Sequence, residues 1–499
     1  MTITIDGLDD LTLDVAWRVG FDACGVTFSD ATVERMRRGR AAFERYLESD
    51  RTQFVYGTTT APGGRAKTRI GTPDQDSQGQ TLWTYVPRCA GTGGKFLPER
   101  TVRLIVLARL VNFVGTSGHV RPETARWVAG LLNGPMPAVP FASATGPGEV
   151  MPLSHLYQSL EEIPLAPGEA MDLVNGSPCA TAMVAEAALT ARRRLRLAER
   201  VFALAIEGAN APLDHYDPAL KALTADPDHR LALDRIAALL ADTPNTVRLP
   251  HQAPVSWRIW PTVLATAIHA MRRAERVAMH SLRSVADNPV FVEPSREHAQ
   301  GRALSTGGFH NHQAGRAIDG LNAAWADLCV LGAKQASRLL DGTPFGLPPF
   351  LVLEGSGVVG TEFFAWMQNS HAERAGQAAA PAVLSLGIED PVGGQSDVAS
   401  RGFIAYERHL EASDALDASL AVLAVVASQA LFVSSRGPAP ALREFHERIV
   451  HLAPPITGET IRDLGPALQR LRAQFTDVVL GRDKENERAL LGDLEHDSP

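Results

Sequence analysis

Residues 181–209, TAMVAEAALTARRRLRLAERVFALAIEGA, place apolar side chains at i, i+3, i+4 and i+7 along their length. That period marks an α-helix with one face to pack, and the run is too long for a typical isolated globular helix. An apolar stripe of this length needs neighbours to cover it, so the stretch predicts a helical bundle. Comparable runs recur at about 259–285, 313–340, 361–386 and 402–434, closed by glycine and proline signals such as DGTPFGLPP at 341–349 and SSRGPAP at 434–440. Five long helices side by side predict a mainly α fold.

Outward from the bundle the texture changes in both directions. Residues 1–177 mix short helical patterns with the turn-rich segments TTTAPGGRAK (58–67), RCAGTGGKF (88–96) and FASATGPGEVMP (141–152). Loops of this kind present backbone N–H groups and side chains instead of packing them, so chemistry is expected there. The organisation read from the chain is a loop-rich N-terminal domain at 1–177, a central long-helix bundle at 178–434 and a C-terminal helical cap at 435–499. The proline-rich stretch NAPLDHYDPALKALTADPDHR (210–230) reads as a surface excursion with short helices.

Composition excludes several classes. A net charge of -8 gives no basic footprint for nucleic acid, and the cluster Arg192, Arg193, Arg194 and Arg196 reads as one solvated helix face. Cys24, Cys89, Cys179 and Cys329 lie far apart without C-x-x-C spacing, which indicates neither a zinc site nor a disulfide framework. The start MTITIDGLDDLTLD lacks the positive charge and apolar run of a signal peptide. No run of eighteen apolar residues follows, so no membrane is expected and the expected compartment is the cytoplasm.

Read in order, VYGTTTAPG (55–63), AVPFASATGPGEVMPLSH (138–155), LVNGSP (173–178), APVSWRIWP (253–261), SVADNPVF (284–291), LSTGGFH (304–310), GLPPFLV (346–352) and QSDVAS (395–400) resemble the histidine and phenylalanine ammonia-lyase family. Their shared order across most of the chain carries the resemblance. It implies the ammonia-lyase/fumarase-like fold, a small-molecule substrate bearing a carboxylate, and a homotetramer whose sites draw on several subunits.

In that family an Ala-Ser-Gly tripeptide cyclises and loses water to give methylidene-imidazolone, the electrophile that attacks the substrate. Here the corresponding positions hold Gly146, Pro147 and Gly148. Proline has no hydroxyl to eliminate, and its tertiary nitrogen cannot become the ring imine. Ser143, four positions away between Ala142 and Ala144, does not restore the tripeptide. The prosthetic group is therefore expected to be absent, and the Gly-Pro-Gly stretch reads as a tight turn.

Other positions of the resemblance survive. Tyr56 stands where the family places its tyrosine base, in a loop able to expose a phenol, and is the catalytic candidate. Arg258 stands at the arginine that pairs bidentately with the substrate carboxylate, a geometry lysine does not reproduce. Two readings hold for Asn175, a substrate ligand or a helix cap, and two for Phe309, an aromatic beneath the prosthetic-group loop or an ordinary core residue. Gln395, Asp397 and Ser400 keep the polar pattern of their motif.

The departures matter equally. The family's second tyrosine becomes Val255, beside Trp257, Ile259 and Trp260, so that region reads as pocket wall. Cys89 and Ser396 replace groups that the histidine-specific branch uses, and Cys89 reads as a small buried residue. His310 and His312, two apart, are poorly placed for joint metal ligation, so no metal is expected. His310 is also a candidate acid or base, and His155 reads as structural.

Two functions stand against each other. One is an enzyme without methylidene-imidazolone that uses Tyr56 for elimination, isomerisation, addition or cyclisation, a lyase-like member of specialised metabolism. The other is a non-catalytic paralogue that binds a ligand or assembles with an active homologue in a mixed oligomer.

Overall fold

The computed structural model describes all residues except 51, 64–65, 70–94, 117–118, 142–145, 147, 158–164, 250–251, 354–360, 387–393, 395–396, 458–462 and 495–499. The chain opens with β1 (Thr2–Ile5), α1 (Leu13–Gly20), β2 (Gly25–Phe28) and α2 (Asp30–Ser49). β1 and β2 pair in parallel, Thr2 opposite Gly25 and Ile5 opposite Phe28. Thr12 and Ser29 cap the two helices, their hydroxyls accepting from Val15 and Thr32 N–H at 3.2 and 3.1 Å.

Next come α3 (Glu99–Val114), α4 (Pro122–Gly130), α5 (Val150–Leu156) and α6 (Glu169–Val174). α3 is buried all round from Thr101 to Val114. Such a helix must satisfy its own polar groups internally. Arg103 does so by donating to the carbonyls of Val19, Leu132 and Cys24 at 2.7, 3.1 and 3.0 Å.

The predicted bundle helices are α7 (Pro178–Ala209), α10 (Trp260–Leu282), α11 (His312–Asp341), α12 (Phe363–Ala378) and α13 (Gly402–Val433); α8 (Pro227–Leu240) and α9 (Val255–Arg258) lie between the first two. The run expected at 361–386 stops at Ala378, ahead of Pro381, because proline cannot continue the backbone hydrogen bonds although apolar residues persist. The antiparallel pairs β3 (Val290–Val292) with β4 (Arg302–Leu304) and β5 (Ser385–Leu386) with β6 (Val398–Ala399) fill the connections. The chain closes with α14 (Arg443–Leu452), α15 (Leu464–Val479) and α16 (Glu487–Leu491). The fold is mainly α, as the helical periods predict.

Two compact units interleave along the sequence. The first comprises Met1–Leu189, Ala274–Ile318 and Pro381–Glu407, and the second Thr190–Arg273, Asp319–Ala380 and Arg408–Pro499. In the second unit the arginine cluster departs from the expected solvated face. Three consecutive helical residues fan through about 200°, so they cannot share one side. Arg194 lies 4% exposed and closes a two-point pair with Asp417 at 2.7 and 3.1 Å. Arg193 is buried too, meeting Glu487 at 2.6 Å and the Val478 carbonyl at 2.6 Å. Arg196 pairs with Glu199 at 3.2 Å.

The excursion after α7 is fixed in the same way. Glu207, fully buried, accepts from Thr243 at 2.9 Å, Asn245 at 2.5 Å and Arg248 at 2.7 Å. α13 is long and apolar enough to cross a membrane by composition, with a mean hydropathy of 2.0 over eighteen residues, yet 89% of that window is buried inside the structure. Its polar groups find protein partners: Gln429 donates to the carbonyls of Leu351 and Ile456 at 3.0 and 3.1 Å, and Ser419 donates to Gln368 at 2.6 Å. These are the arrangements of a core helix.

Candidate active site

Within the first unit a cavity of about 610 Å³ is lined by Tyr56, Gly146, Gly148, Asn175 and Phe309 together with Phe54, Met151, Asn288 and Ser305. Five residues that the sequence singles out thus meet at one place. Among the described residues, no Asp, Glu, Lys, Arg or His side chain lines it. Its polar lining consists of hydroxyls and amides.

Tyr56 is held by a tight turn. The N–H groups of Thr58, Thr59 and Thr60 all donate to the Val55 carbonyl at 2.9 to 3.2 Å, and Thr59 Oγ1 accepts from Val55 N–H at 2.8 Å. Gly57 completes the turn at φ +66°, where any Cβ would strike Met171. The Tyr56 hydroxyl accepts a hydrogen bond from Gly63 N–H at 2.8 Å, which fixes the phenol on the cavity side of the loop.

Asn175 has a structural place and a position at the cavity. It is the C-cap of α6, its N–H donating to the Met171 carbonyl at 2.8 Å, and it also lines the cavity. Its side-chain amide donates to the Asn288 carbonyl, and Arg109 donates to its own carbonyl. Asn288 Oδ1 in turn accepts from Thr306 N–H at 2.9 Å and the Ser305 hydroxyl at 3.1 Å. Phe309 packs against the former tripeptide: a Cβ on Gly148 would sit 3.6 Å from its ring. The Gly146 carbonyl accepts from Ser400 N–H at 3.2 Å, which gives the QSDVAS motif a structural task.

Behind this wall lies a buried charge network that motif reading missed. Arg109, fully buried on α3, donates to the carbonyls of Asp172 and Asn175 and lies 3.5 Å from Asp287. Asn112 donates to Asp287 at 2.8 Å, and Asp172 holds His119 through its backbone N–H at 2.9 Å and its ring Nδ1 at 3.1 Å. Burial pushes the Asp287 carboxyl up to about 8, against the pull of Arg109.

Glu149, next to Gly148, is a second missed residue. Its carboxylate accepts from Cys179 and Ala180 N–H at 2.6 and 2.7 Å, capping α7 from outside the helix. Burial raises its carboxyl to about 7, opposed by those two N–H groups and by Arg109. The signal was present in GPGEVMPLSH, an acid beside the degenerate tripeptide, but its target lies some 30 residues away.

Other candidates lie elsewhere. Arg258 ends α9 in the second unit, and its Nε donates to the Ala253 carbonyl at 3.1 Å. Trp257 and Trp260 are fully buried, whereas Val255 and Ile259 are exposed. His155 is buried, which lowers its pKa. The His310 and His312 ring centres stand 6.2 Å apart, and no group of three or more His, Cys, Asp or Glu among the described residues could hold a metal. Cys24, Cys179 and Cys329 are buried thiols. Pro147, Gln395, Ser396, Cys89, Ser143 and Thr145 fall outside the described residues.

This architecture has close parallels. A histidine ammonia-lyase of Vibrio parahaemolyticus is 27% identical over 380 residues, covering 69% of this chain and 72% of its own. One from Anaeromyxobacter dehalogenans is 26% identical over 524 residues, covering 96% and 97%. Among solved structures, an ergothionase from Treponema denticola superposes with a TM-score of 0.85 at 17% identity, covering 96% of this chain and 99% of its own. A tyrosine aminomutase from Streptomyces globisporus gives 0.85 at 22%, covering 99% and 100%. The family model for aromatic amino acid lyases matches residues 11–161 and 157–451, and the chain belongs to the aromatic amino acid lyase family.

Proposed function

We propose that this chain is an enzyme of that family working without methylidene-imidazolone, with Tyr56 as its base and a carboxylate-bearing small molecule as its substrate. The observation that carries the reading is the convergence of Tyr56, Asn175 and Phe309 on one cavity around Gly146 and Gly148. The residues at the tripeptide do not fit the prosthetic group: position 147 is proline, without a hydroxyl or an N–H. No step is therefore routed through it.

Without that electrophile an amino group is a poor leaving group. The reaction is accordingly an elimination of a better leaving group, or an isomerisation, addition or cyclisation in which the proton is already acidic. The Tyr56 phenol, oriented by Gly63 N–H, exchanges that proton. Asn175, which lines the same cavity, orients the substrate, and Phe309 supplies an apolar surface.

Arg258 lies in the second unit and does not line this cavity. That favours a site completed by another copy of the chain, and a homotetramer is the assembly we infer. Phe363, Trp366 and Met367, exposed at i, i+3 and i+4 on α12, form an apolar face suited to it. If Arg258 instead completes the site of an active homologue, turnover emerges only on mixing the two chains.

Two measurements test this. Intact mass and near-ultraviolet absorbance are expected to show no loss of water from the loop; a dehydrated ring overturns the reading. Turnover by the purified homo-oligomer that vanishes in Tyr56→Phe supports it, and activity confined to mixtures with a homologue supports the partner role instead.

A further inference from the structure

We propose that Asn175 and Asn288 form a donor and acceptor pair in the cavity wall that recognises a carboxamide or lactam on the substrate. The inference rests on the reading that this cavity is the substrate site. Both residues line it, and a main-chain partner turns each amide in one sense. Asn288 Oδ1 accepts from Thr306 N–H at 2.9 Å. A backbone N–H cannot accept, so the oxygen faces it and Nδ2 is the end left to the cavity. Asn175 is fixed in the opposite sense. Its Nδ2 donates to the Asn288 main-chain carbonyl, which cannot donate, so Oδ1 is the end left over. Among the described residues, neither remaining atom has a protein partner.

The backing of the pair is tied down. Asn288 N–H donates to Asp287 Oδ1 at 2.9 Å, and Asn112 holds the other oxygen of that carboxyl at 2.8 Å. Asn175 is buried, and at Gly176, with φ +84°, any Cβ would sit 2.2 Å from the Ala286 carbonyl, so the two segments are packed backbone to backbone. Ser305 lines the cavity as well and spends its hydroxyl proton on Asn288 Oδ1 at 3.1 Å, so its oxygen is an acceptor. The wall therefore sets an amide donor beside acceptor oxygens. An ester brings acceptors alone and places oxygen against Asn175 Oδ1. A carboxamide carries both functions on one plane: its carbonyl accepts from Asn288 Nδ2, and its N–H donates to Asn175 Oδ1. A site of this kind rejects an analogue without the donor, because a buried acceptor is then left unpaired. Met151, Leu304 and Phe309 line the same cavity and cover the carbon skeleton.

The test uses titration calorimetry on the full-length protein with two probes that share a ring and a carboxylate, 3-(4-carbamoylphenyl)propanoate and 3-(4-methoxycarbonylphenyl)propanoate. The wild type is expected to prefer the amide over the ester by about tenfold or more. Asn175→Leu is expected to bind the two alike. Asn288→Asp keeps the acceptor for Thr306 and Ser305, so its thermal midpoint should hold. It exchanges the donor for an oxygen, and its affinity for the ester is expected to fall about tenfold or more. Equal binding of amide and ester by the wild type overturns the proposal. So does an unchanged preference in Asn175→Leu, or an unchanged ester affinity in Asn288→Asp. A third probe, 3-(4-carbamoylphenyl)propan-1-ol, lacks the carboxylate. If it binds as tightly as the acid while the amide preference stands, the carboxylate reading fails and the amide pair is supported. Failure of all three probes to bind overturns both.

Discussion

Both units bury arginine, and they use it differently. In the first, Arg109 directs its donors to the main-chain carbonyls of Asp172 and Asn175, and its contact with Asp287 is the longer 3.5 Å approach. In the second, Arg194 closes a two-point pair with Asp417, and Arg193 meets Glu487 at 2.6 Å. One arrangement positions backbone beside a cavity and leaves acids incompletely compensated, as the raised Asp287 and Glu149 carboxyls record. The other fastens helices together. Around Arg109 buried charge thus shapes a site, whereas at Arg193 and Arg194 it fastens helices.

The widest separation between the two roles is expected at Tyr56. Replacing it by phenylalanine removes one oxygen from a partly exposed loop and keeps the ring. Turnover is expected to fall by a factor of roughly 10² to 10⁴, the usual contribution of a positioned base, with the thermal midpoint little changed. A midpoint that collapses together with activity would make Tyr56 a structural residue. Asp417→Ala is expected to act the other way, costing about 3–5 kcal/mol in urea unfolding because Arg194 remains buried and unpaired. The double change Arg194→Met with Asp417→Leu should restore much of that loss. If the single change is silent, the fastening role assigned to the second unit is wrong.

What is legible in the sequence follows from the range of the interactions involved. The long helices are legible because a 3.6-residue period is local, and Tyr56, Asn175 and Phe309 are legible because their motifs are contiguous strings. The arginine cluster is not legible in the same way, because Asp417 and Glu487 lie 223 and 294 residues from their partners and nothing nearby announces them. Glu149 escaped for the same reason: its role as a cap depends on N–H groups at the start of α7. Only the fold brings those donors to it.

Glu149 also supplies the pH test of the first region. Its folded carboxyl titrates near 7 against an ordinary 4.5, so the folded state holds its proton more tightly than the unfolded chain does. The associated stability is complete below about pH 4.5 and is lost as pH rises through 7. Asp287, raised to about 8, extends the decline upward. Glu149→Gln cannot ionise, so relative to wild type it should gain roughly 2 kcal/mol between pH 5 and 8. The diagnostic is the slope, because glutamine also loses one of two acceptors for the α7 N–H groups and shifts the whole curve. Parallel curves for the two proteins would mean that Glu149 is fully ionised across the range.

The smallest effect closes the scale. Arg37 and Glu34 on α2 form an ion pair at 3.5 Å with side chains 54% and 59% exposed. Water screens such a pair, and ordering two long side chains costs entropy that the attraction barely offsets. Glu34→Ala should therefore change urea stability by no more than about 0.5 kcal/mol, and less in high salt. The distance resembles that of Arg109 to Asp287, yet the expected consequence is far smaller. A large loss at Glu34 would mean that distance governs these pairs. A small one, beside a large loss at Asp417, assigns the difference to burial and to the number of hydrogen bonds each charge completes.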